Sequence, residues 1–256
     1  MDALIVAGGT PTAVDPLASF SQGRPKSLIE VGGRPMVQWV LDAVAGSPRI
    51  ERLILVGLDE THGLISGKPL TYLPEQGSLL ANSRAGIEAA GALGGTSEHL
   101  LMSTADIPLI TPEMVTFRAD QIERAGVDLD YCIIERSVME ARFPGSRRSY
   151  VRMKDIEACG GDIHGVRLDL SSDNALWDRL LAARKNALKQ ALLLGPDTAL
   201  MLLLHMATVE WAERRIGHRL GLRGKAQRCP FAEVGMDVDK PYQLEIVRSE
   251  LQSRTG

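Results

Sequence analysis

Asp2-Ala3-Leu4-Ile5-Val6-Ala7-Gly8-Gly9 is a short apolar run stopped by two glycines. His99-Leu100-Leu101-Met102-Ser103-Thr104-Ala105-Asp106-Ile107-Pro108-Leu109-Ile110-Thr111 is a second apolar run, ending at an aspartate. Each reads as a buried strand entering a turn. Outward from these two, Leu53–Val56, Leu70–Leu73 and Asp130–Glu135 read as further strands. Helices fall between them. Pro35 suits a first turn, with Val37, Val40, Leu41 and Val44 at helical spacing until Gly46 and Pro48. Ser78 is a candidate N-cap for a helix from Leu79 to about Ala92. Thr111-Pro112-Glu113 supplies a cap, a first-turn proline and a first-turn acid for a helix to about Arg124. Strands alternating with helices predict an α/β fold with a mostly parallel sheet covered on both faces. Ligands of such sheets sit beyond the carboxyl ends of the strands, where Gly8-Gly9 and Asp106 lie.

The remaining segments are less regular. Residues 10–22 carry two prolines and no helical period, and read as a long loop. From about Ser137 to Leu170, turn residues and pieces such as Tyr150-Val151-Arg152-Met153 suggest an inserted β-rich lobe. Asn174 to Gly217 reads as helices with breaks near Asn186 and at Gly195-Pro196. The tail returns to a strand near Phe231 to Val238 and a helix from Pro241. The expected division is a core over 1–136, an insertion over 137–228 and a return to the core over 229–256.

A chain of 256 residues, 45% hydrophobic, can bury a full core. A net charge of −3 and a pI near 6.0 leave no basic footprint for nucleic acid. Three widely spaced cysteines, Cys132, Cys159 and Cys229, argue against a disulfide framework and for reduced thiols in the cytoplasm. No signal peptide is expected. The most apolar stretch, Thr198 to Ala207, is too short to span a bilayer and reads as a buried helix, with a partner-facing helix as the alternative.

A glycine turn lets backbone N–H groups approach phosphate. Lys26 in Gly23-Arg24-Pro25-Lys26-Ser27-Leu28 adds a mobile charge. Asp106 and Asp239, the latter in Gly235-Met236-Asp237-Val238-Asp239-Lys240-Pro241, could meet on one Mg2+, which takes one or two carboxylates plus phosphate oxygens and water. Glycine turn, lysine and paired carboxylates together suggest phosphoryl or nucleotidyl transfer. Each piece has a plainer reading. Gly8-Gly9 could be only a turn, Lys26 a solvated loop residue, Asp106 a turn aspartate, and Asp239 an N-cap for the last helix.

These motifs, in this order, resemble the MobA-like nucleotidyltransferase family within the GT-A-type superfamily. Ala7-Gly8-Gly9 with Gly23–Ile29 resembles the family's A-G-G…K loop, Asp106-Ile107-Pro108-Leu109 its D-x-P-L motif, and Val238-Asp239-Lys240-Pro241 its V-D-T-P ending, with Lys240 where Thr is usual. Gly32-Gly33-Arg34-Pro35-Met36 matches as well. Asn82-Ser83-Arg84-Ala85-Gly86-Ile87 resembles its S-x-x-x-G-L helix segment, with Asn82 at the serine position. The resemblance implies a three-layer α/β/α Rossmann-like fold and transfer of a nucleoside monophosphate from a triphosphate to a phosphorylated small-molecule acceptor, releasing pyrophosphate. By the same resemblance Ala7, Gly8, Gly9, Arg24, Lys26, Asn82 and Ser83 contact the nucleotide, and Asp106 and Asp239 hold Mg2+. The family's loop normally carries an arginine soon after the glycines; residues 10–22 contain none.

Arg147, Arg148 and Tyr150 lie where superfamily members place acceptor contacts; the alternative is a solvated basic face. A homodimer through the helical segment is a further expectation. Two other functions stay open. One is a non-catalytic nucleotide or sugar-nucleotide binding protein of the same fold. The other is a glycosyltransferase, whose D-x-D motif has counterparts only in Asp128-Leu129-Asp130 and Asp237-Val238-Asp239.

Overall fold

β1 (Asp2–Val6) is buried along its whole length, as is β4 (Leu53–Val56). Such strands lack polar alternation because both faces of the sheet are covered. The alternation appears instead as two cores. Ala3, Ile5, Leu53, Leu55 and Leu101 join one cluster with α2 (Met36–Gly46) and α4 (Pro112–Ala125). Leu4, Val6, Ile54, Val56 and Leu100 join the other, with Ile87 and Ala90 of α3 (Leu79–Leu93) and Trp177 of α6 (Asn174–Ala183). Each fully buried Leu or Ile contributes on the order of 1.5–3 kcal/mol. This computed structural model describes residues 1–9, 11–12, 14–183 and 195–255.

The main sheet runs β5-β4-β1-β6-β10-β7-β9-β8, with β11 on β7. The further strands are β5 (Leu70–Leu73), β6 (His99–Thr104), β7 (Leu129–Glu135), β8 (Val151–Arg152), β9 (Glu157–Gly160), β10 (Ile163–Arg167) and β11 (Gly224–Arg228). All but β9 and β10 point the same way, so the sheet is mostly parallel. A small hairpin of β2 (Glu30–Val31) and β3 (Arg34–Pro35) turns at Gly32-Gly33, both at positive φ, and leads into α2. Ser78 caps α3, its hydroxyl accepting from the Ala81 N–H at 3.2 Å. Gly86 lets α3 lie against β1, because a Cβ there would meet Leu4 at 2.4 Å.

The structure corrects several expectations. The 10–22 loop contains a short helix, α1 (Ala18–Ser21), anchored by fully buried Leu17. Residues 137–170 form no separate lobe. They continue α5 (Arg136–Arg142), and β9 and β10 then enter the main sheet along one edge of β7. Between them the register on β7 slips by two residues, leaving Gly161-Asp162 as a bulge. Residues 231–238 are not a strand. Ala232–Gly235 is a 3-10 turn whose Gly235 lies against Ile134, and the returning strand is β11. Pro230 has no N–H to offer a ladder there. The break expected at Gly195-Pro196 is present, with Gly195 non-helical at φ +94 and α7 (Pro196–Leu203) starting after it, and α8 (Val209–Leu220) follows. The expected break near Asn186 lies outside the described residues. The stretch 198–207 is not a buried helix, since Leu200, Leu203, Leu204 and Met206 are all exposed. Among the described residues no helix is long and apolar enough to cross a membrane.

Candidate functional site

Three chain turns meet at the carboxyl ends of β1 and β6. The Ala7 carbonyl accepts the Ser27 hydroxyl at 2.8 Å, and the Gly9 carbonyl accepts the Lys26 N–H at 3.2 Å, which fixes the lysine loop onto the glycine turn. The Asp106 carbonyl accepts the Val238 N–H at 3.0 Å, which brings the C-terminal motif alongside. Lys26 Nζ then sits 2.5 Å from Asp106 Oδ2 and 2.6 Å from Asp239 Oδ1. Burial works against the ammonium charge, but the two carboxylates outweigh it and push the lysine pKa up. Asp239 therefore faces Lys26 ahead of α9 (Pro241–Thr255), while its own N–H donates to Gln243 Oε1 at 3.0 Å.

Beside this cluster opens a cavity of about 340 Å3, lined by Ala7, Gly8, Gly9, Lys26, Asn82 and Asp106 among others. Gly9 has φ +107, and a Cβ on Gly8 would come within 3.0 Å of Asn82 Nδ2. Asn82 is held in turn, its Oδ1 accepting the Gln76 N–H at 2.6 Å. Thr104 Oγ1 and Asp106 Oδ1 are buried there without a hydrogen-bond partner. Buried polar atoms are nearly always paired, so these two mark a place for a ligand. Oxygen donors from two aspartates suit Mg2+, which usually takes one or two carboxylates and completes its shell with water and phosphate. Among the described residues no group of three or more His, Cys, Asp or Glu side chains forms that could hold a metal ion.

Two expected nucleotide contacts fall elsewhere. Ser83 is buried and donates to the Leu79 carbonyl at 2.8 Å within its own helix, outside the cavity lining. Arg24 is exposed and also outside that lining. Nor do the three expected acceptor residues converge. Arg147, at φ +49, turns to the Tyr242 ring at 5.3 Å. Tyr150 donates to Glu140 Oε1 at 2.9 Å and packs under Arg136, held by α5. Only Arg148 reaches the carboxylates, pairing with Asp237.

Sequence reasoning gave Asp162, which follows the arginine-rich middle segment in Gly160-Gly161-Asp162, no role of its own, and it missed Gly57. The bulge aims Asp162 at this cluster, where burial and then the Asp106 charge push its carboxyl up to about 7. Gly57, at φ +100, lets Gly8 pass, because a Cβ would lie 2.3 Å from Gly8 Cα. A glycine directly after the β4 run was the available signal for it; a two-residue register slip leaves none for Asp162.

A hypothetical transferase from Thermus thermophilus matches with 32% identity and a TM-score of 0.82, covering 95% of this chain and 98% of that one. A CMP:2-keto-3-deoxy-manno-octonic acid synthetase solved with CTP matches in fold, with a TM-score of 0.60 at 14% identity over 99% of this chain and 100% of that one. The bifunctional protein GlmU of Sorangium cellulosum (strain So ce56) is 30% identical over 136 residues, which is 49% of this chain and 27% of that protein. The chain spans about a quarter of the length of the curated relatives it matches. The family model for the MobA-like NTP transferase domain matches residues 3–190, and the chain belongs to that family of nucleotidyltransferase enzymes.

Proposed function

We propose that this enzyme joins a nucleoside monophosphate, drawn from a triphosphate, to a phosphorylated small-molecule acceptor in a Mg2+-dependent reaction. The observation that carries the reading is the meeting of Lys26, Asp106 and Asp239 at the mouth of a cavity walled by Gly8-Gly9. The glycine turn offers backbone donors to the triphosphate, and Lys26 offsets its charge. Asp106 and Asp239 would hold the metal, which when bound neutralises charge on the α-phosphate. The acceptor phosphate oxygen forms a bond to the α-phosphorus, the bond from that phosphorus to its bridging oxygen breaks, and pyrophosphate leaves with the electron pair. An acceptor phosphate is already anionic, so no general base is needed. We also propose a cytoplasmic setting and a homodimer through the exposed apolar face of α7; a monomeric mass by light scattering would remove the dimer.

The test is a thermal-shift panel of ATP, GTP, CTP and UTP, each with and without Mg2+, on the wild type and Asp106→Ala. A ligand at 100 times its dissociation constant stabilises by about 2.7 kcal/mol. A Mg2+-dependent shift for one nucleotide, lost in Asp106→Ala, is expected. No shift with any nucleotide would sink the reading. A shift with no pyrophosphate released on any phosphorylated acceptor would favour non-catalytic nucleotide binding.

A further inference from the structure

A second cavity, of about 510 Å3, lies between the β7–β8–β9 end of the sheet and α8. Leu129 and Ile133 of β7, Val151 of β8, and Ala212, Ile216 and Leu220 of α8 give it apolar walls. A cavity of this size with mainly apolar walls is the ordinary make-up of a small-molecule site. Its Gly160 wall adjoins Arg148. Gly160 and Tyr131 border the cavity. The Tyr131 hydroxyl comes so close to Gly160 that a Cβ there would sit 2.7 Å from it. The Gly160 carbonyl accepts Arg148 Nη2 at 3.5 Å, and Arg148 pairs with Asp237, two residues before Asp239. Arg148 Nε and Asp162 Oδ2 are both buried there without a hydrogen-bond partner. Arg148 and Asp162, each with one buried polar atom left unpartnered, thus link the carboxylate cluster to Gly160 in the wall of the apolar cavity.

We infer that the acceptor is an amphiphile: a phosphate ester whose apolar tail occupies the second cavity and whose phosphate passes Arg148 to reach the nucleotide. This rests on the nucleotidyl-transfer reading. The transfer step is the one given above, with the ester phosphate as nucleophile and no change of oxidation state. Asp162 Oδ2 would take part in a hydrogen bond with a polar group near the ester linkage.

The experiment is a calorimetric titration of the full chain with dodecyl phosphate and with ethyl phosphate, below micelle-forming concentrations. It is repeated on two cavity-filling variants, Ala212→Phe and Ile216→Trp. Dodecyl phosphate should bind the wild type at least about tenfold more tightly than ethyl phosphate, since each buried methylene adds affinity. The fillings should erase that preference and keep the nucleotide thermal shift, which also reports that a variant is folded. Equal affinity of the two esters for the wild type overturns the inference. So does a chain-length preference that survives a filled cavity, as it would if the tail only coated Leu203, Leu204 and Met206. The two readings fail separately. Absence of any nucleotide shift in the wild type sinks nucleotidyl transfer, whereas a sound nucleotide shift without a chain-length preference sinks only the amphiphile.

Discussion

Lys26 places one ammonium between two carboxylates, and the triphosphate reading gives that charge a second task. Hydrogen bonds to charged groups are worth about 1.5–3 kcal/mol. Lys26→Ala should therefore weaken the preferred triphosphate about ten- to a hundredfold in a direct titration. Unchanged affinity would place Lys26 outside the nucleotide's reach. Gly57 acts one step further back. Alanine there would meet Gly8 backbone at 2.3 Å in a φ of +100, a conformation that costs a side chain roughly 1–3 kcal/mol before the clash is counted. Gly57→Ala should lower the urea midpoint and weaken nucleotide binding together; normal binding in a destabilised variant would separate the turn from the site. Lys26, Asp106 and Asp239 were legible in the sequence because each follows a short motif with its own turn chemistry. Arg148 was legible as a candidate, but its pairing with Asp237 was not, and Asp162 was not, because what places them is an ion pair between distant segments and a bulge.

At the scale of elements, the regular half of the chain reads from its periodicity and the rest does not. β5, α3 and α4 form close to where apolar spacing, Ser78 and Pro112 place them. β11, Gly224-Lys225-Ala226-Gln227-Arg228, carries no apolar run, since it pairs along one edge of β7 and is partly solvated. β9 and β10 look like an insertion because they run against the other strands, yet β10 lies between β6 and β7. A buried ion pair ties this junction to α4. Arg118, fully buried, donates Nε–H to the Ile163 carbonyl at 3.2 Å and pairs with buried Asp130, which also accepts from Gln227. Breaking a buried pair from one side typically costs about 3–5 kcal/mol, while replacing both partners with apolar groups recovers much of it. Arg118→Met should lose that much stability by urea unfolding, and Arg118→Met with Asp130→Leu should lose clearly less. Equal losses would mean that the pair's packing, not its charge, holds α4.

Across the whole molecule, the Gly8-Gly9 cavity lies at the ends of β1 and β6 and the apolar cavity at β7, β8 and β9, and β10 joins the two halves. Stability of that joint should depend on pH through His164. Its ring stacks on Tyr131 at 4.7 Å, and its Nδ1 accepts the Cys132 N–H at 3.2 Å, which needs the neutral imidazole. Burial, with Arg118 second, lowers its pKa from 6.5 to about 4. As pH falls through 6.5 the unfolded chain takes up a proton that the folded chain refuses until about pH 4. The contribution is complete above pH 6.5, shrinks across that window and levels off below it. At about 1.4 kcal/mol per pH unit the loss is on the order of 3 kcal/mol. His164→Asn keeps an acceptor near Nδ1 without the titration. Urea unfolding of both proteins at pH 7.5, 6 and 4.5 should show the wild type losing stability relative to the variant as pH falls. Parallel curves would mean that His164 is protonated in the fold and that the Cys132 N–H has another partner.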